Sequence, residues 1–229
     1  MEPTARPRSE DLAGYLRPTW FIDSDSAEVA ARAQQIAGGG SDVERAVRLF
    51  YEVRDSIRYD PYSITAQPSD YRASGVLERG SAYCIPKAVL LCAFARAVDI
   101  PARLGFADVR NHLASEKLLR RLGSDLFIFH GFTELWLEGQ WLKATPAFNI
   151  QLCQRFGVRS LEFDGHQDAL FHEYSSDGRR HMEYLAYRGT YADLPLDEII
   201  TAFGAQYGPA YLAESGREHD DLFDAPAQT

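Results

Sequence analysis

The feature that most constrains the fold is an almost uninterrupted apolar run from Cys84 to Ala97. A helix built from this run is apolar on nearly every face, and such a helix is usually buried in the core. The polar turn before it, Gly80 to Tyr83, delivers Cys84 to the start of the helix. The run therefore predicts a central helix, covered by other elements, that fixes one thiol in space.

The position of Cys84 suggests two different roles. The first backbone N–H groups of a helix lack intrahelical partners and favour negative charge. This environment is expected to lower the pKa of the Cys84 thiol and to favour the thiolate, which is the nucleophilic form. A buried structural cysteine fits the helix equally well. Cys92, in the most apolar part of the run, and Cys153, which has no motif around it, are interpreted as core thiols.

The overall composition indicates one globular domain and argues against several functions. The 229 residues are 45% hydrophobic and 12% aromatic, which is enough for a sizeable core. A net charge of −9 argues against binding to nucleic acid or to anionic membranes. No signal peptide and no bilayer-spanning run of roughly 20 apolar residues is found. Three cysteines without a CxxC pattern do not suit a disulfide scaffold, so we expect a soluble, cytoplasmic protein.

The chain divides into an N-terminal arm and helix (1–40), a central region (41–205) and an acidic C-terminal tail (206–229), all within a single domain. After the central helix, aromatic and branched residues from Leu126 to Ala144 flank a turn and predict a β-hairpin with His130 on its first strand. Residues 158–194 are expected to form irregular strands and loops. The pattern predicts an α+β fold with N-terminal helices.

Two blocks of sequence resemble those of a known family. The first comprises Tyr83-Cys84, Lys87-Ala88 and the run from Phe94 to Phe106, and it resembles the cysteine block of the transglutaminase-like superfamily. The second, from His130 to Trp141, resembles the histidine block of that family, which is a strand, a turn and a tryptophan strand. The resemblance implies a papain-like fold in which the cysteine helix packs on an antiparallel sheet carrying the histidine. It also makes 41–205 the catalytic domain.

The resemblance implies a cysteine-dependent acyl-transfer enzyme. The Cys84 thiolate would attack an amide or thioester carbonyl, and His130 would take the thiol proton and later protonate the leaving group. The Cys84 backbone N–H and one further donor would hold the oxyanion. The candidates for that donor or for other substrate contacts are Tyr59, Tyr62, Gln67, Tyr83 and His112.

The third catalytic residue departs from the family pattern. The tryptophan strand of the family usually ends in an aspartate before a proline, whereas Thr145 precedes Pro146 in this chain. A threonine hydroxyl can accept a hydrogen bond from imidazole but supplies no negative charge. Thr145 could serve alone, Asn149 could take its place as in papain-like enzymes, or Asp164 could supply the carboxylate. Loss of activity is the fourth outcome.

The segment around Asp164 allows other interpretations. Asp164 follows the apolar Leu161 and Phe163, so its carboxylate is expected near the core, where Arg103 could neutralise it in a structural pair. Together with other acidic and histidine side chains it could form a metal cluster, but the spacing matches no zinc pattern, and no metal or cofactor is expected. That cluster comprises Asp164, His166, Asp168 and His172.

Two function classes remain open. The first is an enzyme that hydrolyses an amide or peptide, or forms an amide with a small amine; a peptide, amide or thioester is the expected substrate. A basic patch of Lys117, Arg120 and Arg121 could dock an acyl-carrier protein, although a solvated helix face is the simpler interpretation. The second class is a catalytically impaired module that binds a peptide or small ligand in its cleft, and the missing aspartate supports it.

Overall fold

The computed structural model describes residues 12–112, 114–170, 181–208 and Tyr211. Its helices are α1 (Ala27–Ala37), α2 (Asp42–Ser56), α3 (Ala73–Arg79), α4 (Cys84–Ala97), α5 (Glu116–Leu122), α6 (Ile150–Phe156) and α7 (Leu196–Tyr207), with a 3-10 turn at Pro68–Tyr71. Its strands are β1 (Arg58–Tyr59), β2 (Ser81–Ala82), β3 (Ala102–Asn111), β4 (Leu126–Leu137), β5 (Gln140–Ala144) and β6 (Met182–Tyr191).

The main sheet has four antiparallel strands in the order β5-β4-β3-β6. The β4–β5 hairpin confirms the turn expected between Leu137 and Gln140. The expectation of irregular structure for 158–194 is wrong in its last part, because β6 is a ten-residue strand paired along β3. The edge position of β6 explains why its sequence pattern is weak. Leu185 and Tyr187 are apolar but solvent-exposed, so apolar residues do not mark only the buried face of this strand.

Helix α4 lies at the centre of the molecule, as its apolar sequence predicts. Every residue from Cys84 to Arg96 is buried. The helix packs on β4, where the Thr133 hydroxyl donates a 2.8 Å hydrogen bond to the Ala88 carbonyl. The α+β architecture that the sequence and the family resemblance imply is therefore confirmed.

The N-terminal helices pack against α4 and are joined to it by a buried lysine. The Lys87 side chain is fully buried, and its ammonium donates to the Arg54 carbonyl at 2.9 Å and to the Ile57 carbonyl at the end of α2. Burial lowers the pKa of Lys87 to about 7. A capping box formed by Ser41 and Glu44 starts α2. Lys87 thus satisfies carbonyls that the helix itself leaves unpaired.

The first turn of α4 approaches β4 so closely that a side chain at Gly131 would be crowded. A Cβ added at Gly131 would lie 3.0 Å from the Ile85 Cα and 3.5 Å from the Ile85 backbone nitrogen. Because the obstructing atoms belong to a helix backbone, they cannot rotate away. Gly131 therefore sets the distance between the helix start and the strand.

We expect Gly131→Ala to lower the free energy of unfolding by about 1–3 kcal/mol, the usual cost of overpacking a core. Urea denaturation measures the change. Gly204→Ala is the matched control, because Gly204 lies inside α7 with no atom near its added Cβ. Alanine there should raise the free energy of unfolding by roughly 0.5–1 kcal/mol. Equal effects of the two substitutions would contradict the close approach at Gly131.

Candidate active site

Cys84 and His130 line the same cleft, as the sequence predicts for a cysteine–histidine pair. The cleft has a volume of about 450 Å³ including its mouth, and it lies between α4, the start of β4, α5 and α7. Its aromatic and aliphatic walls are formed by Tyr59, Pro61, Ile64, Tyr83, Leu118, Leu122, Phe127, Ile128, Phe129, Phe203, Tyr207 and Tyr211. The fold therefore brings together two reactive side chains that are 46 residues apart in sequence (130 − 84).

The Cys84 thiol lies among backbone donors but is not acidic. The backbone N–H groups of Gly131, Ile85 and Cys84 itself hydrogen-bond to the sulfur and favour the thiolate. Burial outweighs them and raises the pKa of the Cys84 thiol to about 11. The expected lowering of this pKa is therefore wrong for the resting structure. The thiol is only 8% exposed, so desolvation destabilises the thiolate more than the N–H groups of the helix terminus stabilise it.

His130 is also uncharged in the resting site. Its side chain is 5% exposed, and burial lowers its pKa to about 4. At neutral pH the cleft therefore holds a neutral thiol and a neutral imidazole, and not a thiolate–imidazolium pair. A neutral imidazole is the form that can accept a proton from a thiol during attack.

The backbone just before His130 adopts an unusual conformation. Phe129 has a φ of 53°, which is rare for a bulky residue and costs about 1–3 kcal/mol. It lies in a β-bulge where the pairing of β3 with β4 shifts between Ala107 and Val109. The Phe129 N–H donates to the Asp108 carboxylate at 3.1 Å. A bulge of this kind changes the direction in which the next side chain points.

A partly buried ion pair supports this bulge. The Arg188 guanidinium on β6 makes two hydrogen bonds to the Asp108 carboxylate, one of them 2.8 Å long, and lies 4.4 Å above the Phe129 ring. Asp108 is 8% exposed. Sequence reasoning missed these residues, because their roles depend on contacts between three strands and not on any local motif.

None of the three candidates for a third catalytic residue has a hydrogen bond to His130 among the contacts of the described residues. The Thr145 hydroxyl is buried and finds no hydrogen-bond partner in this part of the chain. The Asn149 side chain accepts from the Tyr59 N–H at 3.1 Å and donates to Gln151 at 2.8 Å. Asp164 is exposed and accepts backbone N–H groups of the turn that follows it. The role of each as the third member stays a prediction.

The candidates for oxyanion and substrate contacts divide into two groups. Tyr59 and Tyr83 line the cleft. Tyr83 is also the N-cap of α4, and its hydroxyl donates to the Tyr71 hydroxyl at 3.0 Å. Tyr62, Gln67 and His112 are not among the described lining residues; Gln67 is exposed and His112 faces Glu183 at 3.3 Å.

The expected pair of Arg103 with Asp164 is wrong. Arg103 forms its ion pair with Glu134, opposite it on β4, at 2.6 Å. Asp164 is exposed because burial alternates along this segment: Leu161 and Phe163 face the core and Asp164 faces solvent. The backbone N–H groups of His166 and Gln167 lower the pKa of Asp164.

The acidic and histidine cluster around Asp164 is dispersed in the structure. Asp168 accepts the Lys143 N–H at 2.8 Å, and His166 faces Glu138 at 3.4 Å. His172 lies outside the described residues. Among the residues that the structure describes, no group of three potential ligands is arranged to hold a metal ion.

The predicted basic patch on α5 is partly engaged with aromatic rings. The Lys117 ammonium lies 5.5 Å and the Arg121 guanidinium 5.3 Å from the centre of the Tyr62 ring. Arg120 is exposed and pairs with Glu116 at 3.3 Å. Docking of a carrier protein on this patch stays a prediction.

A comparison with protein-family models decides the family. The model described as the transglutaminase-like superfamily matches residues 30–146, just over half of the chain. The chain belongs to the transglutaminase-like superfamily. The match includes both Cys84 and His130 and ends at Pro146, after the threonine that replaces the usual aspartate.

Solved structures give more distant likenesses. The chain is similar to a putative cysteine protease from Cytophaga hutchinsonii at 15% identity and a TM-score of 0.48, over 80% of this chain and 55% of that one. It is also similar to a putative protease from Parabacteroides distasonis at 14% identity and a TM-score of 0.39, over 63% and 31%. The chain thus spans about half of the first protein and about a third of the second. No curated protein matches the sequence. No helix in the described part of this superfamily member is long and apolar enough to cross a bilayer.

The lowered pKa of His130 predicts a loss of stability in mild acid. The unfolded chain protonates this histidine near its ordinary pKa of 6.5, whereas the folded chain resists protonation until about pH 4. The free energy of unfolding should therefore fall as the pH falls from 6.5 to 4, by up to about 3 kcal/mol from this group. Urea unfolding at several pH values, compared with His130→Gln, measures it. A variant with an unchanged pH dependence would contradict the burial of a neutral imidazole.

Proposed function

We propose that this protein is a cysteine-dependent acyl-transfer enzyme that acts on amide or thioester bonds. One observation carries the proposal: Cys84 and His130 line one cleft, with the sulfur at a helix N-terminus and surrounded by backbone donors. A purely structural thiol has no need of a histidine in the same cleft. Cys92, which is fully buried further along α4, shows the structural alternative.

The neutral resting pair supports a mechanism in which the proton moves as the thiol attacks. His130 accepts the thiol proton while the sulfur forms a bond to the carbonyl carbon, so no buried ion pair forms beforehand. The carbonyl oxygen becomes an oxyanion near the N–H groups of Cys84 and Gly131. His130 then protonates the leaving amine or thiolate. Water or an amine, deprotonated by His130, attacks the thioester and releases the Cys84 thiol.

The acceptor separates two versions of this activity. With water the protein is an amide or peptide hydrolase, and with a small amine it makes new amides. Hydrolysis is the simpler version, since water needs no binding site of its own. The catalytic domain proposed for either version is the 41–205 region.

A binding module without turnover is the second candidate. The observation that favours it is the hydroxyl of Thr145 where the family usually has a carboxylate, together with a thiol pKa raised to about 11. In that case the cleft would hold a peptide or small ligand and Cys84 would be a residual nucleophile. Chemical labelling of the thiols separates the two candidates.

We expect iodoacetamide to alkylate Cys84 at least ~10-fold faster than Cys92 or Cys153 at neutral pH, because Cys84 opens into the cleft beside a proton acceptor. All three are free thiols, so mass spectrometry of peptides gives the three rates in one experiment. His130→Gln should slow the alkylation of Cys84 alone. Cys84→Ala should abolish turnover and leave the fold intact. Equally slow labelling of all three thiols would favour the binding module.

A further inference from the structure

The described residues that line the cleft carry no formal charge. Among the described residues that line it, none is Asp, Glu, Lys or Arg, and the polar atoms come from the tyrosines and from the reactive pair. A charged group that entered would lose its hydration without gaining a partner. The cleft is therefore matched to a group that is itself uncharged and apolar.

Fixed contacts hold the outer wall in place. The Tyr207 hydroxyl of α7 accepts the Ile128 N–H at 2.8 Å and donates to the Leu126 carbonyl at 3.0 Å. These two bonds tie α7 to the strand that carries His130. On the opposite side α5 supplies Leu118 and Leu122, each 5% exposed. Cys84 itself is only 8% exposed at the bottom of this cleft, so the group that reaches the sulfur must be slender.

We propose that the cleft selects a small-molecule substrate whose acyl group is uncharged and apolar, either a short aliphatic chain or a single aromatic ring. This inference rests on the proposed acyl-transfer function and adds the substrate class to it. Cys84 is only 8% exposed between α5 and α7, which favours a narrow, flexible acyl group over the surface of a folded protein.

Two matched esters test the inference on the full chain. The p-nitrophenyl ester of hexanoic acid and the p-nitrophenyl monoester of adipic acid have acyl chains of equal length, and only the second ends in a carboxylate. The Cys84 sulfur forms a bond to the acyl carbon, the ester C–O bond breaks, and p-nitrophenolate leaves with the electron pair. Water then hydrolyses the thioester. We expect kcat/KM to be at least ~50-fold higher for the hexanoate ester.

Variants separate the inference from the function on which it rests. Leu118→Lys places a cation in the wall and should raise the relative rate of the adipate ester, whereas Arg120→Ala, on the exposed side of α5, should change neither rate. Cys84→Ala gives the background rate. Equal Cys84-dependent rates for the two esters in the unsubstituted protein would overturn the inferred substrate class, while the proposed acyl-transfer activity would stand. If neither ester releases p-nitrophenolate in a Cys84-dependent way and Cys84 is not alkylated preferentially, both the substrate class and the proposed acyl-transfer function are overturned.

An independent observation concerns the orientation of His130. The bulge at Phe129 needs a hydrogen-bond acceptor for its N–H, and Asp108 provides one. Arg188 fixes the Asp108 carboxylate and covers the Phe129 ring. Without these contacts a bulky residue would leave the left-handed conformation, and the following residue would turn.

We infer that Asp108 and Arg188 are positioning residues for His130 and act on it through the Phe129 backbone. The connection is direct, because Phe129 precedes His130 in the chain and its N–H is the group from which Asp108 accepts a hydrogen bond.

The matched control is a second ion pair that also involves β3. Arg103 on β3 and Glu134 on β4 form a partly buried pair away from the bulge. We expect Asp108→Ala to lower kcat for the hexanoate ester at least ~10-fold with little change in KM, whereas Glu134→Ala lowers stability alone. Asp108→Asn, which keeps a carbonyl acceptor for the Phe129 N–H, should retain most of the activity.

The pH profile of Cys84 alkylation gives a readout that a loss of stability would not move. With His130 misdirected, alkylation in Asp108→Ala should require a higher pH than in the unsubstituted protein, and the profile of Glu134→Ala should not shift. Urea denaturation identifies the conditions under which all variants are folded. Equal kcat losses in Asp108→Ala and Glu134→Ala, or equal alkylation profiles, would overturn the positioning role.

Discussion

The contact between the first turn of α4 and Gly131 on β4 is the constraint on which the candidate site depends. The missing side chain at Gly131 lets the Ile85 backbone approach the strand, and the same approach puts the Gly131 N–H on the Cys84 sulfur. The histidine is the next residue along the strand. One close contact between backbones therefore links the helix packing to the placement of both reactive residues in one cleft.

This close packing also determines the charge state of the site. A thiol at a helix terminus that faced water would be acidic, but here the same elements that supply the N–H groups remove the solvent. Desolvation raises the pKa of Cys84 to about 11 and lowers that of His130 to about 4, so both shifts favour the neutral forms. The absence of charged side chains among the described lining residues is consistent with this state, since these residues add no field that would separate the proton from the sulfur.

The sequence predicts those parts of the structure that depend on local periodicity or on a shared motif. The uniform apolarity of Cys84 to Ala97 predicts α4, and the hairpin around Gly139 predicts β4 and β5. The pKa of Cys84 could not be read in this way, because it depends on how completely distant elements exclude water. The edge strand β6 and the Phe129 bulge could not be predicted for a related reason, since they depend on contacts between residues far apart in sequence. The bulge needs Asp108, 21 residues from Phe129, and Arg188, 80 residues from Asp108.

These contacts change how the replacement of the usual aspartate by Thr145 is interpreted. In a site that relies on an imidazolium, the loss of the usual carboxylate removes the charge that stabilises it. In this chain the imidazole is neutral at rest, and the ion pair of Asp108 with Arg188 holds the backbone beside it. The Asp108 carboxylate therefore contacts the strand that carries His130. Arg188 neutralises its charge, and it accepts a hydrogen bond from the Phe129 N–H. Such an arrangement orients the His130 side chain without raising the basicity of its imidazole. It suits a mechanism in which the proton moves during attack better than one that begins from a thiolate–imidazolium pair.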